Sequence, residues 1–305
     1  MVYAAIDIGS NTTRMLVADR SGQRILSPQY YRQITRLAGN FSSGNELSPE
    51  SIQRTLTALE QFHKILKKNA VQKTRIVATA ALRRAVNHQF FIDQVKSSTG
   101  LDVEIISGEE EASLMTSGVL SVIRPQPEAA ILVDIGGGST ELVCVTENKV
   151  LFQESYNLGV VQLCEEFAGH HQRQEYIQSI ITRFIRQLKS YNQCKGSYQL
   201  IGTAGTMTTL AALHLNMDEY NPEIINNHEL SYSWIKKTHL ILEHMSIPER
   251  EGLRGMEAGR GDLILPGLQI AMTLLNCLNL STIKIADSGL LEGVLLGLPP
   301  GNTEQ

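Results

Sequence analysis

The sequence has little cysteine, and what it has is scattered. Cys144, Cys164, Cys194 and Cys277 are its four cysteines. None forms a Cys-x-x-Cys pair, which excludes a zinc ribbon or a small disulfide scaffold and reads as the reduced thiols of a cytoplasmic protein. The eight histidines fall in no metal-site spacing, and His170–His171 reads as an exposed polar turn. Aromatics are few, at 6%. The formal net charge is only -4, so no general basic surface for nucleic acid or anionic membrane is expected. If the partner is a polyanion, the positive charge must be local. No apolar run approaches a membrane span. Met1–Ile6 runs straight into Asp7 with no basic segment and no cleavage pattern, so a strand is expected there rather than a signal peptide. There is no Gly-Lys-Ser/Thr, which excludes a Walker-type P-loop.

What is present is one short phrase written twice. Asp7-Ile8-Gly9-Ser10-Asn11-Thr12-Thr13 follows the apolar run Val2–Ile6, and Asp134-Ile135-Gly136-Gly137-Gly138-Ser139-Thr140 follows Ala129–Val133. Each reads as a buried strand ending in an Asp and a turn rich in glycine and hydroxyls. Such a turn offers a phosphate close backbone N–H groups, short hydroxyl donors and no bulk. The Asp suits a divalent cation that accompanies phosphates. One such loop could be a plain tight turn; two matching copies favour phosphate binding. A third turn, Gly202-Thr203-Ala204-Gly205-Thr206, opens a helix whose N-terminal amides suit another phosphate or a nucleotide.

A chain of 305 residues has room for two domains with separate cores. The first part reads as a meander, with strands over 2–8, 14–19 and 23–26. Ser48-Pro49-Glu50 starts a helix that carries an apolar stripe through Leu66 and closes on Lys67 and Lys68. A strand over 75–78, a helix capped by Asn87 and ended by Gly100, a strand over 103–106 and a helix capped by Ser107 follow. Pro125-Gln126-Pro127 reads as the linker. Strands are then expected over 130–133, 141–145 and 150–155, and a long helix over 172–191. The turn at 200–206 follows, then helices over 233–244 and 261–277, a strand over 282–286 and a closing helix over 289–298. The expected class is α/β, an arrangement duplicated in two halves: one domain over 1–124, with the closing segment 289–305 packed back on it, and a second over 125–288.

Several charged groups are candidates. Arg83 follows a strand-to-helix turn, Arg36 lies in the first domain, and Arg260 is flanked by glycines; each could clamp phosphate oxygens or simply be a surface residue. Glu109-Glu110-Glu111 sits where acids favour a helix N-terminus. One of them could instead be a general base, and the residues do not say which.

As an ordered set, Ala5–Asn11, Val77–Arg83, Ile106–Ala112, Val133–Leu142, Gly202–Thr206 and Ser288–Gly293 resemble the exopolyphosphatase / guanosine pentaphosphate phosphohydrolase (Ppx/GppA) family, over nearly the whole chain. The family lies in the acetate-kinase–sugar-kinase–heat-shock–actin (ASKHA) superfamily. The resemblance implies two ribonuclease-H-like (actin-like ATPase) domains with a cleft between them. It places the catalytic Glu on Glu111, and the essential Asp and Glu of the second phosphate motif on Asp134 and Glu141. It implies the short form of a family whose longer members add a helical C-terminal domain, a cytoplasmic location and a homodimer. Two family arginines are replaced, by Gln162 and by Leu291, which removes two positive charges expected to face a polyanion.

The expected activity is Mg²⁺-dependent (or Mn²⁺-dependent) hydrolysis of the terminal phosphoanhydride of inorganic polyphosphate, in short chains; guanosine pentaphosphate (pppGpp) is the alternative substrate. The catalytic set is Glu111, Arg83 and Glu141. Phosphate-binding candidates are Asp7, Gly9, Ser10, Asn11, Thr12 and Arg36 in the first half. In the second they are Gly136, Gly137, Gly138, Ser139, Thr140, Gly205, Thr206 and Arg260. Metal ligands are Asp134 and Glu141, with Asp7 as a further candidate. A kinase of the same superfamily and a non-catalytic phosphate sensor are the remoter readings.

Overall fold

The computed structural model describes residues 1–22, 24–39, 45–167, 169–190 and 198–300; Gln23, Tyr191, Cys194 and the tail 301–305 lie outside them. The chain divides into two compact units, Met1–Ser121 together with the segment from Gly289 onward, and Val122–Ser288.

The first unit opens with β1 (Val2–Ile8), β2 (Thr12–Ser21) and β3 (Arg24–Ile34), an antiparallel meander. Next come α1 (Pro49–Lys68), β4 (Lys73–Ala78), α2 (Ala80–Arg84), α3 (His88–Thr99), β5 (Glu104–Ile105) and α4 (Gly108–Val122). Strand order is β3-β2-β1-β4-β5, with β1, β4 and β5 parallel. β1 is an unbroken apolar run because both its faces are covered. Ala4, Ile6 and Ile8 pack with Leu56, Leu59, Phe62 and Phe91 of α1 and α3. Tyr3 and Ala5 pack with the residues that close the unit at its C-terminal end.

β3 is far longer than the apolar pattern indicated. It is an exposed edge strand, so it needs no alternation, and it accepts Pro28 where its register with β2 shifts between Val17 and Asp19. Asn87 occupies the N-cap position of α3, but its side chain makes no capping bond. Its side chain instead exchanges hydrogen bonds with Leu47, accepting from the N–H at 2.9 Å and donating to the carbonyl at 3.1 Å.

The second unit repeats the plan with β6 (Ala129–Ile135), β7 (Thr140–Thr146), β8 (Lys149–Tyr156), α5 (Val160–Glu166), α6 (His170–Ser190) and β9 (Gln199–Thr203). Then come α7 (Ala204–His214), α8 (Pro222–Ile225), β10 (Glu229–Ser231), α9 (Tyr232–Glu243), α10 (Ile247–Glu251), α11 (Ile264–Leu278) and β11 (Thr282–Ile285). The order β10-β11-β9-β6-β7-β8 matches that of the first unit, with β10 added at one edge. Each unit is therefore α/β and ribonuclease-H-like. α11 starts at Ile264 rather than Gly261 because Arg250 Nη1 and the Glu251 carboxylate hold the Gly261 backbone in a turn. No helix among the described residues is long and apolar enough to cross a membrane.

The last helix, α12 (Leu290–Gly297), returns to the first unit. Its Leu291, Val294 and Leu295 are buried with Tyr3, Ala5, Leu16 and Val77. This corrects one expectation. Position 291 faces the core, so leucine there takes no charge away from a ligand surface.

His170 and His171 begin α6 rather than forming a turn. The His170 ring packs edge-on against His239, which is buried with its Nε2 unpartnered. Burial holds the His239 pKa below its ordinary value, against the opposing Glu243 carboxylate and with help from His170, Arg173 and Arg250. Burial and the adjacent His214 do the same to His228. The folded protein thus binds fewer protons than the unfolded chain just below about pH 6.5, so stability is lost as pH falls through that range. Thermal midpoints measured from about pH 7.5 to about pH 5.5 should decline in the lower half, and combining His239→Gln with His228→Gln should flatten the decline.

Candidate active site

The candidate residues gather, in each unit, at the carboxyl ends of the parallel strands, where open α/β sheets bind ligands. In the first unit, Asp7 and Gly9 end β1, Thr79 follows β4, and Ile106 follows β5. Backbone bonds tie them side by side, from Thr79 N–H to the Ile8 carbonyl at 3.4 Å and from Ile106 N–H to the Ala78 carbonyl at 3.1 Å. Gly9 closes the first loop by donating its N–H to the Thr12 carbonyl at 3.0 Å. Ser10 and Asn11 are exposed at its tip. The Asn11 carbonyl accepts from the N–H groups of Thr35 (3.0 Å) and Arg36 (2.8 Å), so Arg36 is fixed against the loop. The Arg36 backbone adopts a φ of 45° to do so.

The acidic run separates by partner. Ser107 caps α4, its Oγ accepting from Glu110 N–H at 3.1 Å. Glu109 is exposed. Glu110 pairs with Arg75 at 2.5 Å; hydrogen bonding to the same guanidinium holds Glu104 below the usual carboxylate range. Glu111 accepts at Oε2 from Arg83 Nη1 at 2.8 Å, and that nitrogen also donates to the Ile106 carbonyl at 2.9 Å. The tertiary structure thus distinguishes three adjacent acids that the sequence leaves equivalent. Glu111 is the one set beside an arginine at the strand ends.

In the second unit the triple-glycine loop is closed by the same bond, Gly136 N–H to the Ser139 carbonyl at 2.9 Å. α5 holds it from behind, with Val160 N–H donating to the Gly136 carbonyl (3.0 Å) and Val161 and Gln162 N–H groups to the Gly137 carbonyl (2.9 and 3.2 Å). Gln162 therefore does lie against the loop. Its Nε2 donates to Glu166 at 3.0 and 3.1 Å. Gly159 is required here, since a Cβ would strike the Gly137–Gly138 backbone.

Asp134 and Glu141 are directly opposed across β6 and β7, which places their Cβ atoms on one face about 5 Å apart. Glu141 Oε1 accepts from the Ser139 hydroxyl at 2.7 Å and the Ser155 hydroxyl at 2.6 Å. On the other side Asp134 is in register with Thr203, the N-cap of α7. Arg260 lies over Gly205 in the first turn of α7 and donates to Glu257. Two of the threonines expected as phosphate donors serve the backbone instead. Thr140 Oγ1 donates to the Leu158 carbonyl at 2.6 Å and Thr206 Oγ1 to the Ile135 carbonyl at 3.0 Å, both buried. A buried carbonyl needs a donor, so neither hydroxyl is presented to a ligand.

A Cβ at Gly205 would run into the Arg260 guanidinium, the movable end of a long side chain. Gly205→Ala should therefore leave the thermal midpoint nearly unchanged. It should weaken phosphate binding by about ten-fold as Arg260 is displaced, read by calorimetry with tripolyphosphate. A fall in stability with unchanged affinity would contradict this placement.

The sequence reading missed Arg14. Its Nε and Nη2 donate to Asp7 Oδ2 at 3.2 and 2.6 Å. The signal was present, because the two Asp-Ile-Gly phrases align without a gap and put Arg14 where the second has Glu141.

Residues 16–300 match the Ppx/GppA phosphatase family. Exopolyphosphatase 2 of Mycobacterium tuberculosis is 29% identical over 97% of this chain and 98% of its own length. A bifunctional 3-dehydroquinate synthase/phosphatase of Fusobacterium nucleatum is 29% identical over 96% of this chain, which spans 46% of that relative's length. Among solved structures, the Aquifex aeolicus Ppx/GppA phosphatase, type II variant, matches with a TM-score of 0.84 at 30% identity, over 97% of this chain and 98% of that one. An exopolyphosphatase from Cytophaga hutchinsonii matches with a TM-score of 0.81 at 26% identity, over 97% and 96% respectively.

Proposed function

The chain belongs to the Ppx/GppA phosphatase family, and on that footing we propose that it is an exopolyphosphatase, releasing orthophosphate from the terminal phosphoanhydride of inorganic polyphosphate, with short chains preferred. The observation that carries the reading is the Arg83–Glu111 pair, at 2.8 Å, beside the Gly9–Thr12 loop at the strand ends. A phosphate grip alone would make a binding protein; a carboxylate within reach of that grip adds a base for water.

In this mechanism Glu111 orients the attacking water and takes its proton. Arg83 turns from Glu111 to the phosphate, and Arg36 and Arg260 share the charge that develops on the phosphate oxygens. The glycine-rich loops supply backbone N–H donors. Mg²⁺, or Mn²⁺ in its place, belongs to the same reading. Among the described residues no group of three or more His, Cys, Asp or Glu forms a metal cage. The opposed carboxylates of Asp134 and Glu141 suit Mg²⁺, which keeps several waters and takes one or two carboxylates plus substrate phosphate. When bound there it would neutralise charge on phosphate oxygens.

Timed phosphate release from tripolyphosphate, long polyphosphate, pppGpp and ATP, each with and without Mg²⁺, tests the reading. Metal-dependent release from polyphosphate is expected, fastest with the short chain. Release from pppGpp alone would transfer the assignment to that substrate. ATP use that requires a co-substrate would indicate a kinase, and binding without release would indicate a sensor.

A further inference from the structure

Arg260 stands between two glycines, Gly259, with a φ of 78°, and Gly261. Glycine on both sides makes a backbone that loses much freedom when ordered, yet a guanidinium serves a phosphate site only if it is kept in one place. The pair between Arg260 and Glu257 lies within the same loop, so it does not fix that loop to the rest of the unit. A neighbouring helix does. Glu251, the last residue of α10, accepts the Gly259 N–H at Oε2 (3.1 Å) and the Gly261 N–H at Oε1 (2.6 Å). One carboxylate thus spans Arg260 and holds the amide on either side of it. Arg250 completes the clasp. Its Nη1 donates to the Gly261 carbonyl at 3.0 Å, and its Nε donates to the Leu242 carbonyl of α9 at 2.8 Å. A Cβ at Gly261 would lie 2.8 Å from Glu251 Oε1 and 3.0 Å from the Ile247 carbonyl, so the clasp closes only on glycine.

We propose that Glu251 is a positioning residue for the phosphate site of the second unit: its carboxylate clasps the Gly259–Gly261 backbone and so keeps the Arg260 guanidinium over Gly205, at the first turn of α7. This rests on the phosphatase reading above, which gives Arg260 to the substrate phosphate. Both oxygens of Glu251 are spent on main-chain amides, so it acts through Arg260 and not on the ligand. Bonds from a carboxylate to backbone N–H groups are among the stronger hydrogen bonds, and two of them from one side chain fix orientation as well as distance. The anchor beneath is rigid in turn. A capping box between Ser246 and Glu249 starts α10, and Arg250 is buried against α9. The Arg260 carbonyl accepts from the N–H groups of Leu263 and Ile264, both at 3.0 Å, so the clasped turn runs straight into α11. A donor held in this way is ordered before the ligand arrives, and binding does not have to order it again. Released from Glu251, the loop keeps its charge and loses its place, and small misplacements of a binding group are costly.

Calorimetry with tripolyphosphate in the Glu111→Gln background, together with amide hydrogen exchange of the ligand-free protein, tests this. Glu251→Ala removes both acceptors; Glu251→Gln leaves one, because an amide NH₂ does not accept. Glu251→Ala and Arg260→Ala should each weaken tripolyphosphate binding by about ten-fold, and Glu251→Gln by about three-fold. The double variant Glu251→Ala/Arg260→Ala should lose no more than about two-fold beyond Arg260→Ala alone, since a positioning residue has nothing left to position. Exchange in peptides over 257–263 should rise by about ten-fold in Glu251→Ala, with the β6–β7 peptides unchanged. Additive losses in the double variant would overturn the proposal, because Glu251 would then act on the unit at large and not through Arg260. So would unchanged exchange over 257–263. If Glu251→Ala does not fold, the same cycle with Glu251→Gln decides. Undiminished tripolyphosphate binding by Arg260→Ala would instead show that the underlying reading of Arg260 fails, and the proposal with it.

Discussion

Glu111→Gln should lower the rate of phosphate release by about 10²- to 10⁴-fold, the usual contribution of a positioned general base, with little change in affinity. The amide keeps the size of the side chain and still accepts a hydrogen bond from Arg83 Nη1, now 2.8 Å from Oε2. The α4 backbone is unaffected, because Glu111 N–H donates to the Ser107 carbonyl at 3.0 Å. Rate and affinity should therefore separate cleanly, rate in a phosphate-release assay and affinity by calorimetry with tripolyphosphate. Glu110→Gln is the natural control. Its carboxylate is engaged by Arg75, so its loss should change surface charge and leave turnover within about two-fold. Equal losses in the two variants, or near wild-type release from Glu111→Gln, would remove Glu111 from the role.

Gly293→Ala should destabilise the first unit by about 3 kcal/mol, a large part of a net stability of about 5–15 kcal/mol. At this crossing α4 and α12 approach without side chains between them. A Cβ at Gly293 would strike the Leu114 carbonyl, and one at Gly118 would strike the Gly289 carbonyl. The obstacles are backbone atoms, so only separation of the helices relieves the clash. α12 packs through Leu291, Val294 and Leu295 on β1 and β2, and α4 carries Glu111 in its first turn. Parting them should reduce activity beyond the fraction unfolded. Gly297→Ala, whose Cβ would meet only the Leu114 Cδ2 at 3.7 Å, should be close to neutral. Chemical denaturation of the variants checks the ranking.

The duplicated phrase made the α/β plan legible, because buried parallel strands must be apolar on both faces and phosphate-type turns must be glycine-rich. The helix at Ser48 and the one after Ser107 were equally plain, since their caps are local chemistry. β3 was not, as an exposed edge strand carries no periodic signal. The short helices α8 and α10 were overlooked although local signals mark them, Asn221 before Pro222 in one and the Ser246–Glu249 capping box in the other.

Local sequence determined which residues have the right chemistry: two Asp-ended glycine loops, an acidic run, and isolated arginines. Only tertiary structure decided who meets whom. It set Arg83 on Glu111 and Arg75 on Glu110, laid Arg260 over Gly205, and took the Thr140 and Thr206 hydroxyls for buried carbonyls. It turned position 291 into the core. It also gave the two copies of the phrase different partners, Asp7 for Arg14 in the first and the Ser139 and Ser155 hydroxyls for Glu141 in the second. Side-chain pairing between distant segments depends on strand register and helix crossing, and those are fixed by packing of the whole unit rather than by any stretch of sequence read alone.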